Sequence, residues 1–268
     1  MPTMSTINHD IHFSLFKGDP GTRKSTAALS YPKPIYFFSY DRKMNALTIP
    51  MQKWNINPDE VHYDDYEDWT KAASKLEEFR IKCPYKTIVI DSITTCADAM
   101  LRQTLKLKTG NRASGAAAGK LIGGIAVNEI EDFNAEAGGL NELMALTKDI
   151  QKFHKIDVIL IAHIINRDSK KLDGKVEVSR TIVTAGKAPA AKIPAICDET
   201  YHFGIERAVI EGQGGAYIIQ TTNTGSDYAR SSLPLPTVIQ INDDPLYEKY
   251  ILPAINKLKA GPVQSIIK

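Results

Sequence analysis

A chain of 268 residues with 33 Lys and Arg against 31 Asp and Glu has a net charge of +2, and its 43% of hydrophobic residues is ordinary for a globular protein. That balance excludes a disordered linker and a partner chosen by global charge, while the length suffices for one large buried core. Met1 to Asp10 has neither the basic start nor the apolar run of a signal peptide, and the longest apolar stretch, Ile156 to Ile165, is too short for a bilayer core of roughly 30 Å. Cys83, Cys96 and Cys197 are odd in number and form no C-x-x-C pair, which argues against a disulfide framework or structural zinc and for a soluble protein in a reducing cytoplasm.

The first expected strand is His12 to Phe16, followed by a helix from Ser25 that Pro32 and Pro34 stop near Tyr31. A strand at Ile35 to Ser39 precedes a helix from about Tyr66 to Arg80, whose Trp69, Ala72, Ala73, Leu76 and Phe79 make an apolar stripe at three- and four-residue spacing. After a strand at Thr87 to Ile90, helical patterns cover Thr95 to Leu107, Ile122 to Phe133 and Leu140 to His154. A strand at Val158 to Ala162 follows, and then strands at Thr200 to Gly204 and Ala216 to Thr221 with no long helix between them. This order implies an α/β domain: a mainly parallel sheet flanked by helices, with antiparallel edge strands at the end. Residues 1–235 read as the core, and 236–268 as a C-terminal tail of the same domain that wraps the surface and ends in a short helix near Tyr247 to Lys259.

Charge is uneven along the chain. Residues 99–128 hold Arg102, Lys106, Lys108, Arg112 and Lys120 and no acid, and Asn166 to Lys192, with Arg167, Lys170, Lys171, Lys175, Arg180, Lys187 and Lys192 against three acids, is net +4. Both stretches are rich in small residues and read as mobile loops, either merely solvated or facing a polyanion.

The chemistry starts after the first strand, at Gly18-Asp19-Pro20-Gly21-Thr22-Arg23-Lys24-Ser25-Thr26. Glycines that turn backbone amides inward, a helix N-terminus, a lysine for the outer phosphates and a hydroxyl for magnesium form a phosphate-binding loop. Arg23 stands where the pattern has glycine, so a side chain must fit whatever backbone angle the turn requires. The run Lys86-Thr87-Ile88-Val89-Ile90-Asp91 is an apolar strand ending in an acid that can hold magnesium through water opposite Ser25. Ser92 follows where many motors carry a catalytic glutamate, so a base must come from elsewhere. Asp41, beyond Ile35 to Ser39, is the nearest acid on the same carboxyl edge and can position water, although it also fits a turn residue before Arg42. His163, ending Val158 to Ala162, fits either a sensor that bonds the γ-phosphate or an ordinary core histidine.

With these residues in place, Gly18 to Ser25, Asp91, His163 and the basic loop after it resemble the RecA/RadA/KaiC-type P-loop NTPase core. Most specifically they resemble the phage-encoded RecA-like ATPases of the Sak single-strand annealing group. Tyr201 to Glu206, Asp227 to Ser231 and Leu233-Pro234 look like the same group, and the similarity spans roughly residues 10–235. The resemblance implies ATP and Mg²⁺ as cofactors, a homo-oligomeric ring or filament in a phage-infected host cell, and single-stranded DNA held by the two basic stretches. It thus assigns Lys106, Lys108, Arg112, Lys120, Arg167, Lys170, Lys171 and Lys175 to DNA. It also implies an arginine supplied by a neighbouring subunit, for which Arg230 is the candidate, and a phage single-strand binding protein as a partner. Arg230 equally fits a surface ion pair. The departures are Arg23 and the short Asp41 where recombinases carry glutamate. A KaiC-type nucleotide-gated module without DNA binding, and a helicase or packaging motor, are the alternative readings.

Overall fold

The computed structural model describes residues 10–110, 121–122, 125–126, 130–170, 176–184, 187–206, 215–225 and 227–260. In chain order the elements are β1 (Phe13–Gly18), α1 (Lys24–Leu29), β2 (Ile35–Ser39), α2 (Thr48–Lys53), β3 (Val61–Asp65), α3 (Trp69–Ile81), β4 (Thr87–Asp91) and α4 (Ile93–Gly110). A short ladder, β5 (Leu121–Ile122) with β6 (Ile125–Ala126), precedes α5 (Ile130–His154), β7 (Asp157–Ala162), β8 (Ile164–Lys170), β9 (Val176–Ile182) and α6 (Lys187–Ile196). The chain closes with β10 (Glu199–Glu206), β11 (Ala216–Gln220), β12 (Val238–Gln240), a π-turn at Tyr247–Ile251 and α7 (Leu252–Lys259).

Eight strands form one sheet in the order β12-β11-β10-β1-β7-β4-β2-β3. The strands from β10 through β3 in that order run parallel, and β11 and β12 add the expected antiparallel edge. The central strands β1, β7, β4 and β2 are buried along their whole length because both faces of the sheet are covered there. One core packs Phe13, Leu15, Phe38, Ile90 and Leu160 against α3, α4 and α5 through Leu76, Phe79, Met100, Leu143 and Ile150. The other packs Phe16, Phe37, Tyr201 and Phe203 against α1 and the C-terminal segment through Leu29, Ile251 and Ile255. The segment read as a tail therefore supplies a sheet strand and part of this second core.

Two expectations are corrected. Leu121–Ile122 and Ile125–Ala126 pair as a two-stranded antiparallel ladder rather than lying in a helix, and the helix begins only at Ile130. It then runs without a break to His154, through Gly138 and Gly139. A methyl group at Gly139 would lie 2.7 Å from the Met100 sulfur, so this glycine admits the close crossing of α4 and α5 rather than ending a helix. The second basic stretch is not loop throughout: Ile164–Lys170 and Val176–Ile182 pair as the antiparallel strands β8 and β9, and α6 follows them. Val176, Val178, Arg180 and Ile182 alternate along β9, and Asp173-Gly174 precedes it as a hairpin signal.

Candidate functional site

The order β1-β7-β4-β2 sets the site. β7 lies between the strand that feeds the phosphate loop and the strand that ends in Asp91, so His163 emerges between them at the carboxyl edge. Gly18 ends β1 where a methyl group would lie 2.2 Å from the Phe203 carbonyl oxygen, a backbone approach that no side chain allows. The loop then turns into α1 and opens on a cavity of about 280 Å³, lined by residues 20–26, Asp41, Lys43, Ala46, Leu47, Asp91, Ile161 and His163.

The buried Lys24 folds back over the loop. Its ammonium donates to the carbonyls of Gly18 (2.9 Å) and Asp19 (2.7 Å) and to the Thr22 hydroxyl (3.3 Å). Burial pulls its pKa down to about 8, against the opposing pull of Asp91, Asp19 and Asp41. Ser25 donates to Asp91 Oδ2 at 2.5 Å. Burial pushes the Asp91 carboxyl up to about 6, although the Ser25 hydrogen bond and the Lys24 charge act the other way. A buried carboxylate beside a serine hydroxyl is a pair of hard oxygen donors of the kind that suits magnesium. Among the described residues no group of three or more His, Cys, Asp and Glu side chains forms a metal cluster.

Asp41 sits beside that pair, its backbone N–H donating to the Asp91 carbonyl at 3.2 Å. Ser92 donates to Asp41 Oδ1 at 3.0 Å, the Thr95 hydroxyl donates to the same oxygen, and His163 Nε2 lies 3.2 Å from Oδ2. Burial alone would raise this carboxyl, yet the hydrogen bonds from His163, Thr95 and Ser92 outweigh it and hold the pKa at about 2. The His163 backbone N–H donates to the Thr94 hydroxyl at 3.1 Å, and its carbonyl accepts from Val183 at the end of β9 at 2.9 Å. The sequence marks Ser92 only as standing in place of a glutamate, and neither its bond to Asp41 nor the roles of Thr94 and Thr95 were expected from it. Their signal was a cluster of hydroxyls at a helix start, a pattern that usually means capping.

Arg23 takes the left-handed angles φ 66° and ψ 25° at the position where glycine was expected, a geometry costing an L residue roughly 1–2 kcal/mol. Its guanidinium bonds the Asn242 carbonyl and, at 2.7 Å, Asp243, and lies 4.0 Å from the centre of the Tyr217 ring. The contacts reach the last part of the chain, which the loop motif gives no reason to expect.

Arg230 does not line the cavity. Its guanidinium bonds the Cys197 carbonyl, and its backbone pairs with Thr200 beside β10. Of the residues assigned to DNA, Lys106 and Lys108 fall on the last turns of α4 and Arg167 and Lys170 on β8, with side chains outside the described residues. Arg112, Lys120, Lys171 and Lys175 lie outside the described residues altogether.

A strand, a glycine-bearing loop and a helix, with an acid at the end of the strand two places away, define a phosphate-loop α/β protein. The profile of the AAA domain family matches residues 14–233, and the chain belongs to that family. Among solved structures it is similar to the RadB recombinase, with a TM-score of 0.49 and 12% identity over 87% of this chain and 89% of that one. It is also similar to a KaiC-like protein from the hyperthermophilic archaeon Pyrococcus horikoshii OT3, with a TM-score of 0.43 and 13% identity over 86% of this chain and 89% of that one. No curated protein matches the chain. No helix among the described residues is long and apolar enough to cross a membrane.

Proposed function

We propose that this protein is a RecA-like ATPase that binds ATP with magnesium in the phosphate-loop cavity, hydrolyses it slowly, and acts as a ring or filament on single-stranded DNA in phage recombination or replication. The observation that carries the nucleotide reading is the convergence of Lys24, Ser25 and Asp91 on one cavity, with Ser25 and Asp91 2.5 Å apart. Bound there, magnesium would neutralise charge on the outer phosphates. Lys24 exchanges its loop carbonyls for phosphate oxygens, and Ser25 and Asp91 hold the metal. A second cavity of about 240 Å³ shares Arg23, Thr26 and Ala46 with the first and is walled by Ile49, Pro50, Trp54 and Ile241. Its apolar side chains suit a nucleoside base.

Asp41 is the catalytic carboxylate of this reading. With a pKa near 2 it is a poor proton acceptor, so it orients the attacking water by hydrogen bonding and leaves the proton to phosphate. His163 links the water-side carboxylate to the β8–β9 hairpin through Val183, the route by which loss of the γ-phosphate reaches the basic stretch. Arg230 serves a neighbouring subunit's site, and the lysines and arginines of the two basic stretches hold the DNA backbone, with a phage single-strand binding protein as a partner. The second reading, a KaiC-type nucleotide-gated module without DNA, draws on Ser92. Among the described residues the cavity's carboxylates are Asp41 and Asp91, with no glutamate to take a proton.

ATP hydrolysis measured with and without single-stranded DNA separates the two. The recombination reading expects stimulation by DNA and binding whose log affinity falls with log salt at about 0.7 per phosphate contact. Absence of both stimulation and binding at about 50 mM salt would favour the nucleotide-gated module.

A further inference from the structure

The Arg23 side chain stands between the two cavities, and three parts of the chain meet at its partners. From the phosphate loop, Arg23 bonds the Asn242 carbonyl and Asp243 Oδ1 at 2.7 Å, with its guanidinium over Tyr217. From α2, Lys53 pairs with the other carboxylate oxygen of Asp243 at 2.7 Å. The Trp54 indole N–H, just past α2, donates to the Asp243 carbonyl at 2.9 Å. Residues 242–243 line the second cavity together with Ile49 and Pro50. The ordinary glycine at position 23 would remove the link from this wall to the phosphate loop, leaving residues 242–243 held by Lys53, Trp54 and their chain neighbour Ile241, whose N–H donates to the Tyr217 carbonyl at 2.8 Å. With arginine, the loop that grips phosphate and the wall beside the base become one unit: Nη1 serves both Asn242 and Asp243 while the guanidinium lies over the Tyr217 ring, a placement on an aromatic face that favours arginine.

We infer that Arg23 is a specificity-determining positioning residue: by clasping Asn242 and Asp243 it fixes the outer wall of the base cavity to the phosphate loop, so that base and phosphates are recognised together. This rests on the nucleotide reading above. It explains why a left-handed position holds a side chain, since glycine would relax the backbone but unfasten the wall. Because Asp243 is more than half exposed, its replacement does not threaten folding.

The test compares dissociation constants for magnesium ATP and for inorganic tripolyphosphate, by calorimetry, in wild type, Arg23→Gly, Arg23→Lys and Asp243→Ala. The quantity read is the preference for ATP over tripolyphosphate, which general damage to the phosphate loop would not change. The clasp predicts that this preference falls about tenfold in Arg23→Gly and in Asp243→Ala, with Arg23→Lys between them and wild type. A preference unchanged in both Arg23→Gly and Asp243→Ala overturns the clasp while leaving nucleotide binding standing. Failure of wild type to bind either ligand overturns the nucleotide reading and the clasp together.

Discussion

His163 Nε2 meets Asp41 Oδ2 at 3.2 Å, so the residue that ends β7 and the acid beyond β2 touch across the carboxyl end of β4, the strand that carries Asp91. The contact makes Asp41 a carboxylate with three donors and a fixed orientation. Asp41→Asn keeps the shape and removes the charge. It should leave ATP affinity within a few-fold of wild type and lower turnover by about 10²-fold, read from steady-state kinetics beside equilibrium binding. Equal losses of affinity and rate would assign Asp41 a structural role.

His163→Ala removes the ring but keeps the backbone bonds to Thr94 and Val183. ATP affinity should survive, and stimulation of hydrolysis by single-stranded DNA should disappear. A variant stimulated as strongly as wild type would make His163 a core residue and move the coupling elsewhere.

Beneath the hairpin, Asp227 is almost fully buried with Arg180 at 2.5 Å and His202 at 3.6 Å, and it draws on the charge of Lys17, whose own pKa burial lowers to about 8. Removing the carboxylate leaves the buried Lys17 ammonium without its compensating charge and takes the partner of the half-exposed Arg180 away. Asp227→Ala should therefore destabilise the fold by about 3–5 kcal/mol in denaturant titration, whereas an exposed pair such as Lys75 with Glu78 should give under about 1 kcal/mol. A loss at Asp227 no larger than at Glu78 would contradict the buried-pair account.

Asp157 supplies a pH test remote from the site. Burial raises its carboxyl from the ordinary 3.8 to about 7, opposed by the His12 backbone N–H that donates to it at 2.8 Å. The folded chain thus holds this proton more tightly than the unfolded one, and the cost of ionising the group grows as pH rises through that interval and is fully present above about 7. Asp157→Asn, which can still accept from His12, should gain stability relative to wild type from about pH 4 to about pH 7 and then level off. A difference between the two that stays constant with pH would refute the shift.

The phosphate loop, the Asp91 strand and the sheet strands that bury both faces were legible because each is written in a short contiguous stretch of sequence. β3 was not, since four of its five residues, His62 to Asp65, are exposed on an edge strand and show no apolar alternation. The β8–β9 hairpin was passed over because its polar composition resembles loop, although the alternation of Val176, Val178 and Ile182 was there to read. Gly138-Gly139 looked like a helix break, and only the Met100 contact shows why glycine belongs inside α5. The clasp of Arg23 on Asn242 and Asp243 joins residues more than two hundred positions apart, and no local pattern records such a contact.

The central claim is that Lys24, Ser25 and Asp91 hold a magnesium nucleotide. Calorimetric titration of magnesium ATP into wild type and Lys24→Ala tests it most directly, with circular dichroism and melting temperature confirming that the variant is folded. The account predicts saturable binding to wild type and none measurable to Lys24→Ala at a near-unchanged melting temperature. Equal ATP affinity in the two proteins would contradict it.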